Sequence, residues 1–282
     1  MADLPRSPKS GHEWGSNEQL AYNIRFETIP PEEFFISPDF PSLDHLDPTI
    51  LTTTLPRGPN DPTFHVSYLN YLEMAALSFA PGSREPNLNL DLTRETLYLL
   101  DFRAGNLAER NPQLITGILI AMMPFTIDLQ VCKETKFAVS DLCLMHGRSF
   151  LVMVVIIKDT FDSRLDPQSR LISTAVAAFQ HNNKRRVELG LQPLETMTIP
   201  CIIMSGLRPS FYLAPVTRRL CDAVIAGEYP SSQTVVSMCS DIVAGEPSIG
   251  MEDPGYRRIA LQRFLAFRDL ARVHWDVLDG VL

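Results

Sequence analysis

Two charged residues frame the part of this sequence where chemistry could be built. Asp141 lies among apolar residues in KFAVSDLCL, and Lys158 closes the almost unbroken apolar run FLVMVVIIK. Lys158 follows 17 positions after Asp141, a separation that suits two strands joined at the turn His146-Gly147-Arg148. An aspartate on one strand and a lysine ending its neighbour are two of the parts that metal-assisted phosphodiester cleavage needs. A pair of carboxylates holds Mg²⁺. The ion activates a water and offsets the charge that builds on phosphorus, and the lysine adds positive charge and orients the nucleophile. The second carboxylate and the lysine belong two positions apart on one strand, because side chains at that spacing face the same side.

Each of these residues has an ordinary structural role to set beside the chemical one. An acid in a strand needs a hydrogen-bonding partner, and a lysine at a strand end can simply extend to water. The run His181-Asn182-Asn183-Lys184-Arg185-Arg186 reads as a solvated helix end, where the helix dipole favours cations, in preference to a phosphate-contacting one. Arg218-Arg219, near a helix start, lacks that explanation and marks a candidate binding face. Other chemistries lack their parts. The sequence has no P-loop, no Gly-x-Gly-x-x-Gly after a strand and no His-Glu-x-x-His, and Ser205-Gly206 lies outside any Gly-x-Ser-x-Gly. His12, His45, His65, His146 and His274 show no ligand spacing. The cysteines, Cys132, Cys143, Cys201, Cys221 and Cys239, form no C-x-x-C pair and read as buried, reduced thiols of an intracellular protein.

The elements that must position these residues follow from periodicity and punctuation. The stretch from Lys136 to Arg186 reads strand, turn, strand, loop, helix. Phe137 to Met145 alternates as a strand should, with Asp141 in phase with Phe137 and Cys143. Phe150 to Ile157 does not alternate, which fits a central strand covered on both faces. A helix opens at Asp166-Pro167, buries Leu171, Ile172, Ala175, Val176 and Phe179, and ends at Gly190. Thr198 to Met204 is a further strand and pairs back with Pro209 to Leu213. A helix capped by Thr217 runs to Ala226 before Gly227, Thr234 to Cys239 is a strand, and Pro254 starts a long final helix to about Leu278.

Upstream, Ile127 to Val131 reads as a strand, and a short strand falls between Leu20 and Ile29. Pro30 to Pro62 reads as an irregular wrap that pins Phe34, Phe35, Ile36 and Phe40 against the body. Helices are expected over Phe64 to Phe79, Leu92 to Ala108 and Gln113 to Met122. The organisation is thus a disordered tail over 1–19, an irregular and helical extension over 20–125, and an α/β core over 126–282. The composition is that of a globular chain: 45% hydrophobic, 21% charged, net charge −8. That acidity argues against a strongly basic nucleic-acid surface and leaves only weak support for a nucleic-acid partner. No apolar stretch reaches membrane-spanning length and no secretory signal is evident, so the expectation is an intracellular protein, cytoplasmic or nuclear.

Taken together, KFAVSDLCL, FLVMVVIIK, AAFQHNNKRR, TIPCIIMSGLRPSFYLAPVT and the following GEYP resemble the PD-(D/E)XK nuclease-like superfamily, in particular uncharacterised fungal members. The resemblance covers about Glu134 to Pro230. It implies an α/β fold of restriction-endonuclease type, a central mixed sheet flanked by helices. It also implies a site built on Asp141 and Lys158, with Mg²⁺ as cofactor if the site is active. Two positions before the lysine, where the family carries an acidic residue, this chain has Ile156, which cannot ligate a metal. Glu134, just before the strand of Asp141, is one substitute metal ligand; the resemblance offers Gln180 or Gln168 on the following helix as a neutral one, while Asp159 falls on the wrong side of a strand. None restores a pair of carboxylates, so the expectation is a degenerate metal site on a non-catalytic binding or accessory protein that needs no cofactor. The alternatives are an active Mg²⁺-dependent nuclease using Asp141 and Lys158, and an accessory protein of a fungal specialised-metabolite pathway.

Overall fold

The computed structural model describes residues 4, 6–35, 40–44, 51, 118–121, 125–146, 149–157, 166–205, 208–239, 250–251 and 253–275, with the backbone alone at 118–121, 146 and 153–157. After a 3-10 turn at Gly11–Glu13 the elements are α1 (Ser16–Ala21), β1 (Ile24–Thr28), α2 (Pro31–Phe34), β2 (Ile118–Ala121), β3 (Phe125–Val131), β4 (Glu134–Ser140), β5 (Leu142–His146) and β6 (Ser149–Ile157). There follow α3 (Pro167–Glu188), β7 (Thr196–Ser205), β8 (Arg208–Thr217), α4 (Arg218–Ala226), β9 (Thr234–Cys239) and α5 (Pro254–Trp275).

The protein is a mixed α/β structure around a seven-stranded sheet of order β1-β9-β8-β7-β6-β5-β2. β5 and β6 form an antiparallel hairpin. The chain then crosses through α3 so that β7 lies parallel to β6, as a parallel neighbour requires. β7 and β8 pair antiparallel over their whole length, and β9 joins β8 antiparallel. Ile199, Cys201, Ile202, Ile203 and Met204 are all buried in succession, so β7 is covered on both faces, and both α3 and α5 pack on it. Pro200 is tolerated in this central strand because the ladder with β6 begins only at Cys201, so the missing N–H leaves no gap there.

The long helices start and stop where their end residues direct. Asp166 caps α3 by accepting from the Gln168 and Ser169 amides. Gly190, at φ +75°, ends it by a Schellman pair, Leu191 N–H to Arg186 O at 2.9 Å and Gly190 N–H to Val187 O at 3.0 Å. The Thr217 hydroxyl accepts from the Leu220 amide at the start of α4, and the Asp253 carboxylate accepts from the Tyr256 amide at the start of α5. Phe34, Phe35 and Phe40 pack into the core, with Phe34 on helix α2 and not on an irregular wrap; Ile36 and most of the wrap expected over Pro30 to Pro62 lie outside the described residues. Phe35 meets Phe211 at 5.6 Å and Phe34 stacks on Phe267 at 6.4 Å between ring centroids.

Three side-chain amides on α3 tie it to the rest of the chain. Gln180 accepts from the Gln130 N–H at 2.9 Å and donates to the Gln130 carbonyl at 3.1 Å. Asn182 does the same to Phe150, at 2.8 and 2.9 Å, and Asn183 to Leu194, at 2.7 and 3.1 Å. Each side chain thus completes both polar groups of one backbone residue. At Phe150 the need is clear: β7 joins β6 only from Met153 onward, so Asn182, itself fully buried, takes the place of the absent strand.

The small β3–β4 hairpin stands apart from the main sheet. Its two turn residues, Cys132 and Lys133, both have positive φ, 48° and 65°. That is the backbone of a type I′ turn, here without the usual Asn-Gly. The strain is offset because the two turn amides donate to the last carbonyls of α4, Val224 at 2.9 Å and Ile225 at 2.6 Å. Gly227 follows, at φ +72°, and a Cβ there would come within 3.0 Å of the Cys132 sulfur.

Several expectations need correction. Ile118–Ala121 belongs to no helix over Gln113 to Met122: it is strand β2, paired antiparallel with Cys143–His146, because an apolar run this short takes its form from the ladder it can join. The strand expected over Phe137 to Met145 is broken at Asp141, with β4 pairing only β3 and β5 belonging to the main sheet. The tail over 1–19 is ordered from Arg6 onward: Trp14 is 2% exposed and stacks on Tyr22 at 5.3 Å, and Gly11 sits against Ala138 and Ser173 so closely that a Cβ would meet the Ser173 hydroxyl at 2.5 Å. β1 and β2, both from within 20–125, form the two outer strands of the seven-stranded sheet. The helices expected over Phe64 to Phe79 and Leu92 to Ala108 lie outside the described residues. Among the described residues no helix is long and apolar enough to cross a membrane.

Two outcomes test this packing. Asn182→Ala leaves the Phe150 N–H and carbonyl buried without partners and should lower stability by about 2–4 kcal/mol, read as a drop in the urea midpoint at unchanged m-value; a loss under 0.5 kcal/mol would contradict the assigned role. Cys132 is half-buried while the other four cysteines are buried, so alkylation of the native protein at pH 8, followed by peptide mapping, should label Cys132 first.

Candidate functional site

Asp141 occupies the bend between β4 and β5 and is only 8% exposed. A carboxylate so placed must be compensated. Its Oδ2 lies 2.8 Å from Nη2 of Arg170, and the same nitrogen donates to the Val139 carbonyl at 3.3 Å. Arg170 comes from the first turns of α3, where the helix dipole disfavours a cation. The partly buried aspartate supplies the attraction that holds it there. The cap beside it is cross-linked to the N-terminal segment: Gln19 Nε2 donates to Asp166 Oδ2 at 2.9 Å and to Ser169 Oγ at 2.7 Å. Ser173, one turn on, donates to the Gly11 carbonyl at 3.2 Å.

Among the described residues, Glu134, Gln168 and Gln180 stand away from Asp141. Lys158 lies outside the described residues, as does Asp159. The β5–β6 register pairs Leu142 with Val154 and Cys143 with Met153. Continued one step it sets Asp141 opposite Val155, so Asp141 shares its phase with the odd-numbered positions of β6 and Ile156 falls in the other phase. Glu134 begins β4, seven extended residues before Asp141. At about 3.3 Å per residue the two are roughly 20 Å apart, and Glu134 pairs with Lys136 at 2.9 Å. Ligands of one Mg²⁺ each stand about 2 Å from it, so Glu134 and Asp141 cannot share an ion. Gln180 is ten residues beyond Arg170, about 15 Å along the helix, with its amide committed to Gln130. Gln168 donates to the Met238 sulfur at 3.3 Å.

The basic segments are also engaged. His181 meets the Phe150 ring edge-on at 4.9 Å between centroids, Arg185 pairs with Glu188 at 3.1 Å, and Arg186 Nε donates to the Gln192 carbonyl at 2.8 Å. Arg218 pairs with Glu195 at 3.0 Å, while Arg219 is exposed. Among the described residues no three His, Cys, Asp or Glu side chains are grouped to hold a metal. Among the described residues Asp141 is the one carboxylate at this position, and a guanidinium lies against it. Sequence reasoning missed Arg170. The signal was an arginine four residues after the capping aspartate, against the dipole.

Two groups near the sheet and its covering helix contribute to the pH response. Burial pushes the Cys143 thiol, on β5 just after Asp141, up to about 12. Burial lowers the pKa of His274, near the end of α5. No protein-family model matches the sequence, and no curated protein matches it significantly.

The ion pair predicts a double-mutant cycle. Asp141→Asn and Arg170→Met alone should each cost on the order of 2–3 kcal/mol, somewhat under the figure for fully buried pairs because Arg170 keeps 18% of its side chain exposed. The double variant should cost less than the sum by at least 1 kcal/mol, measured by urea unfolding. The pH dependence has two limbs. The unfolded Cys143 thiol ionises from its ordinary value of 9.0 while the folded one waits until about 12, so stability is full below pH 9 and falls as pH rises. Unfolded His274 takes up its proton from 6.5 downward, ahead of the folded group, so stability also falls as pH drops below 6.5. Cys143→Ala should make the alkaline limb shallower without removing it, because burial also raises Cys221, Tyr22 and Tyr212, and His274→Gln should flatten the acid limb, in unfolding curves taken from pH 5 to 11.

Proposed function

We propose that this chain is a nuclease-like α/β scaffold whose metal site has decayed, and that it acts by binding, as an accessory protein, without cleaving phosphodiesters. The ion pair between Asp141 and Arg170 carries this reading. A guanidinium 2.8 Å from the carboxylate supplies the positive charge that a divalent ion would otherwise bring. A metal would have to displace it and leave an arginine partly buried and unpaired, at a cost of several kcal/mol. The guanidinium cannot do the ion's other work, because it does not lower the pKa of a bound water and so generates no hydroxide at neutral pH. The hairpin, crossover helix and parallel strand formed by β5, β6, α3 and β7 support the scaffold half of the proposal.

The test uses the full chain with supercoiled plasmid, single-stranded DNA and RNA, each in Mg²⁺ and in Mn²⁺. The expected result is no cleavage above the buffer control and no rise in melting temperature on adding either metal. Cleavage that disappears in Lys158→Ala would overturn the proposal in favour of an active metal-dependent nuclease.

A further inference from the structure

We draw no further inference here: the strongest candidate, the half-buried Cys132 thiol at the tip of the β3–β4 hairpin, which meets the Tyr22 hydroxyl at 3.5 Å and packs against Gly227, carries nothing because it is a lone cysteine and no second feature beside it points to a ligand.

Discussion

Phe150 begins the run of central strand β6 at a level that β7 has not yet reached, and its backbone would face an apolar core with nothing to bond. Asn182 supplies both missing partners from α3. An amide is suited to this because it carries a donor and an acceptor at the spacing of a peptide group. Gln180 and Asn183 repeat the device on Gln130 and Leu194. The first fixes α3 to the small hairpin and the third fixes it to the approach to β7. One helix therefore holds three segments in register by bonds that depend on direction, where apolar packing alone would allow it to slide. The buried face from Leu171 to Phe179 supplies the attraction, and the amides supply the position.

The same helix sets the electrostatics of its other end. Asp141 marks the point where the chain leaves the hairpin and enters the main sheet, so its carboxylate is drawn inside by the path of the backbone. Burying that charge is tolerable only beside a cation, and Arg170 reaches it from a helical position that would otherwise be unfavourable. The pair is thus a consequence of topology as much as of any ancestral chemistry. Tying its arginine also to the Val139 carbonyl closes part of the free edge of β4.

How much of this could be read in advance depended on where the deciding interaction lay. α3, α4 and α5 were legible because their ends carry their own instructions: Asp166-Pro167 and Gly190, Thr217 and Gly227, Pro254. The strands β6 to β9 were legible from apolar runs bounded by turns. β2 was not, since Ile118 to Ala121 is apolar in either form and only its pairing with β5 decides. The break at Asp141 was hidden because alternation runs through it unchanged while the pairing partner changes. The first 19 residues misled through their average polarity. Trp14 and the closely packed Gly11 outweigh that average, because single anchors bury more than their neighbours expose. At the candidate site, alternation puts Asp141 inside a continuous strand, whereas it lies at the bend between β4 and β5; its partner is out of reach of strand logic, and Asn182 and Asn183, which read as part of a solvated helix end, bond instead to Phe150 and Leu194.

One pairing bears on how the chain can assemble. β1 lies beside β9, with Ile24 opposite Thr234, so among the described residues the first strand in sequence order is bonded to the last. During synthesis, at about 5–20 residues per second, β1 must wait on the order of 10–40 s for its neighbour to be translated. In that interval its backbone edge and the aromatic residues around it have only transient partners. Contacts so distant in sequence slow the search for the native arrangement.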